Sequence, residues 1–303
     1  MTPLGRLPDL SVIVPSVNGI DILLECLAAL HQTSAGDAMV EILVIERGGE
    51  SVRRALAVRA PDALVHTVPP GTNIPQMRAV GFRQARADAV AVIEDHVMVP
   101  AGWADAVVAS LRSGADVVGG SIRNRATATL VDRAAFLCEY SHLLEPAAGA
   151  DVARLPGNNV VYRRTIAAPY VSLLEEGRWE DHFHQAMRRD GIALTSRPDI
   201  AVGHKMHCSM WDYLSQRFLY SQALAGTKRV DMPLPRRAAW AVGSLALPPL
   251  LLARIIGRVW ASRRHRRELV QALPLLVIFV GAWAVGEAVG YAFGAGDALA
   301  RVR

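Results

Sequence analysis

The chain has 303 residues, half of them apolar, which is enough to bury a core and too apolar for a disordered tail. Its 33 basic and 28 acidic residues leave a formal charge of +5, yet residues 228–268 hold ten Lys/Arg against two Asp/Glu, so everything outside that stretch sums to −3. A basic segment flanked by apolar runs points to a membrane surface and away from nucleic acid, and no nucleic-acid partner is expected. Cys26, Cys138 and Cys208 lie far apart without CxxC spacing, which argues against a disulfide framework or a cysteine zinc site and suits a reducing cytosol. The start, MTPLGRLPDLSVIVPS, lacks the charged opening and unbroken apolar stretch of a signal peptide, so no export is expected.

In chain order, LSVIVP (10–15) predicts a strand, Ile20 to His31 a helix and VEILVI (40–45) a second strand, the outline of a βαβ unit. The alternation continues through LVHTV (64–68), a helix around Ile74 to Ala87, the strand AVAVI (89–93), a helix from Trp103 to Arg112 and the strand ADVVGG (115–120). Near-continuous apolar strands alternating with helices predict an α/β fold with a mainly parallel sheet covered on both faces. Such sheets bind ligands outside the carboxyl ends of their strands, where Glu46 and the Glu94-Asp95-His96 triplet stand. Past residue 120 the pattern weakens. Residues 155–164 and 193–207 read as strand and loop, and 127–145, 178–190 and 209–226 as helices.

From residue 234 the composition changes. Residues 238–261 are almost wholly apolar but carry Pro248-Pro249 at their middle, with Arg236-Arg237 before and RRHRR (263–267) after. Positive charge prefers the cytoplasmic face, so basic clusters on both sides favour a re-entrant or interfacial helical hairpin over a plain span. Residues 269–294 are long enough to cross a bilayer, with Gly281, Gly286, Gly290 and Gly294 forming a small-residue face for a neighbouring helix. The alternative is a pair of buried core helices. The predicted division is 1–227 for a catalytic domain and 228–303 for a basic, apolar membrane-associated region.

Several constellations could carry chemistry. In an extended segment, Glu94 and His96 at i and i+2 point to one side and can share a divalent ion; a turn or helix-cap cluster before VPAGW is the competing reading. GRWEDHFHQAMRRDG (177–191) places Glu180 and Asp181 at a helix start, where acidic residues suit the helix dipole; a functional Asp there acts as a general base. His182, His184, His204 and His207 allow a structural zinc site without any strong zinc signature, and His204 alone is the better candidate as a further ligand of the Glu94 cation. LPGNNVVYRR (155–164) offers a flexible Gly157 and the amides of Asn158 and Asn159 to a hydroxylated or phosphorylated ligand, with a turn as the default.

Taken together and in this order, these pieces resemble family 2 of the glycosyltransferases, whose GT-A fold is a Rossmann-like nucleotide-diphospho-sugar transferase sheet. The likeness covers about residues 9–225. LSVIVPSVNG (10–19) is like the family's first strand end, which brings in Pro15 and Asn18, and Glu46 takes the place of the acidic residue touching the nucleoside. NIPQMRAVGFRQARADAVAVIEDHVMVPAGW (73–103) is similar throughout, with Arg78 at the arginine of the family's RN pair and Ala79 in place of its Asn. Glu94, Asp95 and His96 fall on the metal-binding DxD element, GNNVVYRR on the acceptor-side loop and WEDHF on the ED motif. QRFLY (216–220), with Gln216 and Arg217, is a partial likeness of the QxxRW element.

The resemblance implies transfer of a sugar from a nucleotide-diphospho-sugar, UDP favoured, to a hydroxyl with inversion. Asp181 becomes the base, Glu94, His96 and His204 the ligands of Mn²⁺ or Mg²⁺, and Asp95, Glu180 and Arg78 part of the donor site. Glutamate and histidine in place of two aspartates lower the negative charge of the metal site and favour Mn²⁺. The basic hairpin and apolar tail imply a cell-membrane protein with its catalytic domain in the cytoplasm, a lipid or polyprenyl-linked glycan acceptor, and a place in cell-envelope glycan biosynthesis. The rival reading is a catalytically silent, membrane-attached sugar-nucleotide binder serving as a scaffold.

Overall fold

The computed structural model describes all residues except 1–5, 34–35, 145–147, 150, 231 and 303. In chain order the elements are β1 (Leu10–Ser16), α1 (Ile20–Thr33), β2 (Val40–Glu46), α2 (Glu50–Arg59), β3 (Leu64–Thr67), α3 (Ile74–Gln84), β4 (Ala89–Ile93), β5 (Val97–Met98), α4 (Trp103–Arg112) and β6 (Val117–Asn124). They continue with α5 (Leu130–Tyr140), β7 (Asn159–Arg163), α6 (Arg164–Ala167), α7 (Val171–Glu175), α8 (Glu180–Arg189), β8 (Leu194–His204), α9 (Met210–Lys228), α10 (Leu234–Ser244), α11 (Leu247–Ser262), α12 (Arg266–Phe293) and α13 (Ala298–Arg301). The chain divides into two compact units: Met1–Arg123 with Pro146–Lys205, and Asn124–Glu145 with Met206–Arg303.

The first unit is built on one eight-stranded sheet in the order β3-β2-β1-β4-β7-β6-β8-β5. β1 is buried at every position, as its unbroken apolar sequence requires of a strand covered on both faces. It pairs in parallel with β2 (Leu10↔Val40) and with β4 (Leu10↔Ala89), and β2 pairs in parallel with β3. Beyond β4 the pairing turns antiparallel, β4 with β7, β7 with β6, and β8 with β5. The α/β expectation therefore holds, with parallel pairing running through β3-β2-β1-β4. That division explains why strand–helix alternation fades past residue 120, since antiparallel neighbours need no crossover helix.

α3 carries Arg78, and two local features fix where it lies. Asn73 and Gln76 form a reciprocal capping box, each side chain accepting from the other's backbone N–H, at 3.0 and 3.2 Å. Gly81 lies so close to Ile13 of β1 that a Cβ there would overlap the isoleucine side chain. The helix is thus seated directly on the central strand, and Arg78 is only 2% exposed.

The second unit gathers α5 and α9–α13. A Cβ on Gly286 of α12 would overlap the Phe218 carbonyl and Ser221 of α9, one on Gly290 the Gln222 carbonyl, and one on Gly226 the Ala295 backbone. The small-residue face of the apolar stretch is therefore spent on α9, while Gly281 faces open space. α5 and α9 group with the apolar helices, so the compact units do not part at residue 227. The final residue of the helix predicted over 127–145 lies outside the described residues.

α10 and α11 are bent by 54°. The break falls before Pro248-Pro249, which occupy the first turn of α11. The prolines begin a helix there and do not interrupt one, because the first turn has no intrahelical N–H bond to lose. α12 runs 28 residues with a mean hydropathy of 2.1 in its most apolar stretch, and 39% of that stretch is buried within the protein. At about 1.5 Å per residue it is long and apolar enough to cross a membrane core of about 30 Å.

Candidate functional site

Glu94, Asp95 and His96 occupy a tight turn between β4 and β5, closed by a hydrogen bond from Val97 N to the Glu94 carbonyl (3.0 Å). The extended geometry predicted for the triplet is absent, and Asp95 is the reason. Its carboxylate turns inward, 1% exposed, and accepts from the backbone amides of Val17 (2.7 Å) and Asn18 (2.8 Å) and from the Asn18 side-chain amide (2.8 Å). Three donors from the end of β1 bind this one carboxylate, and the chain folds around it. Asp95 also faces His96 Nδ1 at 3.0 Å.

The turn nevertheless brings its two flanking residues together. Glu94 Oε2 lies 3.3 Å from His96 Nε2, and His96 Nε2 lies 3.0 Å from His204 Nε2. His204 arrives through the pairing of β5 with β8, which sets it opposite Val97. The three ligand atoms lie within 4.8 Å of one another, the one such group among the described residues. Two imidazole nitrogens 3.0 Å apart need either a proton on one of them or a shared cation. Two nitrogens tetrahedrally bound to one metal at about 2.0–2.1 Å stand about 3.3 Å apart, so the donor set fits a single divalent ion. Asp95 on His96 Nδ1 would hold the ring with Nε2 toward such an ion, as a carboxylate orients a ligating histidine.

Electrostatics favour a single cation at this point, a proton on His96 when no metal is bound. Burial opposes charge on His96, but the hydrogen bonds to Asp95 and Glu94 outweigh it and push the imidazole up to about 10. Burial and the adjacent His96 charge push His204 down to about 3. Burial also opposes the Glu94 carboxylate, yet His96, Arg78 and His204 hold it at about 2. The pocket stabilises one positive charge between Glu94 and the two rings.

Arg78 stands behind the triplet. Its Nη1 donates to Glu180 Oε2 at 2.6 Å, its Nη2 approaches Glu94 Oε1 at 3.4 Å, and its guanidinium lies 5.9 Å from the Trp179 ring centroid. Burial would weaken its charge, but Glu180 and Glu94 more than restore it. Arg78 therefore works as a buried bridge between the strand-end turn and the start of α8. Gly157 makes room for this bridge, since a Cβ there would overlap the Glu180 carboxylate. Asn158 donates to Glu94 Oε2 at 2.9 Å. Asn159 instead ties the sheet together, accepting from Trp103 Nε1 at 3.1 Å and donating to the carbonyls of Ser121 and Ile200.

Asp181 is half exposed, with Arg154 Nη1 3.9 Å away. Glu46 ends β2 fully buried, its Oε2 accepting from Gly49 N (3.0 Å) and its Oε1 without a partner among the described residues. Pro15 is buried within β1 opposite Ile45. Gln216 and Arg217 belong to the second unit, where Arg217 pairs with Glu139 at 2.9 Å and lies against the rings of Tyr213, Tyr220 and Trp283. The four-histidine zinc set does not form: His184 is buried against the Tyr162 hydroxyl (2.7 Å), and His207 meets Asp132 in the second unit (3.1 Å). Sequence reasoning missed Trp179 and Arg154. The tryptophan directly before Glu180 was the available signal, and nothing local marks the arginine.

Comparison with known proteins follows the same lines. The profile of glycosyl transferase family 2 matches residues 11–167, more than half of the chain. No curated protein matches. Among solved structures, a mannosyltransferase from Pyrobaculum calidifontis, in complex with GDP-Man and Mn²⁺, is similar at 16% identity over 93% of this chain and 87% of its own, with a TM-score of 0.56. TarS of S. aureus, residues 1–349, is similar at 14% identity over 92% of this chain and 90% of its own, with a TM-score of 0.51. At these identities the likeness is one of fold, the GT-A arrangement of sheet and helices. The family match and the strand-end site agree, and the chain belongs to glycosyl transferase family 2.

Proposed function

We propose that this glycosyltransferase moves a sugar from a nucleotide-diphospho-sugar to a hydroxyl of a lipid-linked or membrane-proximal acceptor, with inversion and with a divalent cation held by Glu94, His96 and His204. The observation that carries the reading is the convergence of those three ligands from two strand ends at the carboxyl edge of the sheet. Two imidazoles and one carboxylate favour Mn²⁺ over Mg²⁺, which prefers an all-oxygen shell. When bound, the ion supplies positive charge for the diphosphate as the glycosidic bond breaks.

The chain's own groups set the remaining requirements. Asp95 orients His96, and Arg78 holds Glu94 and Glu180 in place. Asp181, exposed at the start of α8, accepts the proton of the attacking hydroxyl. Glu46, with its free Oε1 at the end of β2, accepts from the nucleoside. UDP is the favoured nucleotide, and the GDP-Man complex of the similar mannosyltransferase makes GDP the second one to test. The long apolar α12 and the bent α10–α11 pair support placement at a membrane, with the first unit on the cytoplasmic side.

Calorimetric titration of UDP, then GDP, into the detergent-solubilised chain with and without Mn²⁺ tests the reading. Metal-dependent binding that is lost in Glu94→Ala/His96→Ala is the expected result. Metal-independent binding unchanged by the double substitution would remove the catalytic cation and favour the scaffold reading.

A further inference from the structure

The second unit holds a basic cavity outside the residues assigned above to sugar transfer. It measures about 560 Å³ and is lined by Arg133 of α5 together with Arg263, His265, Arg266, Arg267 and Glu268 at the turn from α11 into α12. Four guanidiniums against one carboxylate leave a net charge of +3 with His265 neutral, and that carboxylate is already engaged by His265 Nδ1 at 2.8 Å.

None of the four arginines forms an ion pair among the described residues. Arg133 donates twice to the Thr127 carbonyl, at 3.1 and 2.9 Å, which places its guanidinium without neutralising it. Arg266 is held by the Trp260 carbonyl (2.7 Å) and ring (4.7 Å to the centroid), and its Nε is buried without a partner. Arg263 and His265 both adopt φ of +58°, a left-handed conformation that side chains other than glycine seldom take. Like charges gathered in one concave site repel one another unless an anion joins them.

Arginine forks match the oxygens of a phosphate, and the start of the 28-residue α12 adds the positive end of its dipole. The surroundings select a phosphate that carries an apolar tail. Trp260 at the end of α11 and Val270, Val277 and Ile278 along α12 are each about half exposed or more, beginning one turn from Arg266. A free phosphate makes no use of that apolar flank; a lipid chain lies along it.

We propose that this cavity binds the phosphate head of an anionic lipid, fixing the second unit at the membrane surface. The inference rests on the membrane-proximal part of the proposed function and is independent of the metal assignment. Its test is titration of the detergent-solubilised full chain with dihexanoyl phosphatidic acid, dihexanoyl phosphatidylcholine and inorganic phosphate. Arg263→Gln/Arg267→Gln is compared with the charge-matched control Arg236→Gln/Arg237→Gln in α10, and Arg267→Glu serves as a second variant. The expected result is saturable binding of phosphatidic acid, weakened about tenfold or more in both cavity variants and within about twofold of wild type in the control. Absence of saturable binding, or equal weakening in the control, overturns the site. Inorganic phosphate binding as tightly as phosphatidic acid, or phosphatidylcholine doing so, overturns the lipid-phosphate assignment. UDP titration of the same variants should match wild type, so loss at the cavity is separable from failure of the donor site.

Discussion

Three carboxylates at the carboxyl edge of the sheet differ in what surrounds them, and so in what they can do. Glu94 shares its oxygens among Arg78, Asn158 and His96 and points one of them at the imidazole pair. Asp95 is consumed by backbone and side-chain donors at the end of β1. Asp181 is half exposed with only a distant guanidinium beside it among the described residues, which leaves it open to an incoming hydroxyl. Asp181→Asn keeps the shape and removes the proton acceptor, so transfer should fall by about 10²–10⁴-fold while UDP affinity is unchanged. Steady-state kinetics beside a nucleotide titration check this, and near-normal transfer would refute the role. Asp95→Asn should behave differently, because it weakens the hold on His96 without deleting a ligand. Mn²⁺ affinity should drop about 10–100-fold yet remain measurable, whereas Glu94→Ala/His96→Ala abolishes it. Metal titration followed by electron paramagnetic resonance separates the two.

At the scale of elements, strand and helix identities in the first unit followed from apolar period, and the exceptions have physical causes. α2 buries only Leu56, and its apolar stripe of Val52, Ala55 and Leu56 is too short to stand out among the charged residues around it. β5 is two residues long and owes its existence to pairing with β8, which no local pattern encodes. Spacing identified Glu94, His96 and His204 as possible ligands, but the turn that unites them depends on Asp95 reaching Val17 and Asn18 some 78 residues away. The glycines of α12 were legible as a packing face, although their partner was not. Gly286→Ala should push α12 off α9, costing about 1–3 kcal/mol, because the contact is with backbone that cannot yield. Gly281→Ala, which meets nothing within 4 Å, should be neutral or stabilising by up to about 1 kcal/mol through lower unfolded-state entropy. Thermal unfolding of both variants in one detergent decides, and equal shifts would contradict the packing.

For the whole molecule, the informative feature is where the chain crosses between its units. Composition changes at about residue 230, and that change marks the apolar helices without marking the edge of the fold. α5 is inserted between β6 and β7 in sequence but belongs with α9 and the apolar helices in space. It carries polar anchors that hold it there, since Asp132 caps its first turn and accepts from Cys208 N at 3.2 Å. On α9, Ser221, Ala223 and Ala225 are essentially inaccessible, and Gly226 abuts the Ala295 backbone. A chain ending at Thr227 would remove α10–α13 and lay that face open, together with the surface of Tyr213 that packs on Phe279 at 4.4 Å between ring centroids. An apolar helix face uncovered in this way drives association. The 1–227 chain should therefore aggregate or lose helical signal without detergent, where the full chain in detergent remains monodisperse. Size-exclusion chromatography with circular dichroism measures both. A soluble, monodisperse 1–227 chain with α9 intact would show that the catalytic domain closes at residue 227 and that α9 does not need the apolar helices.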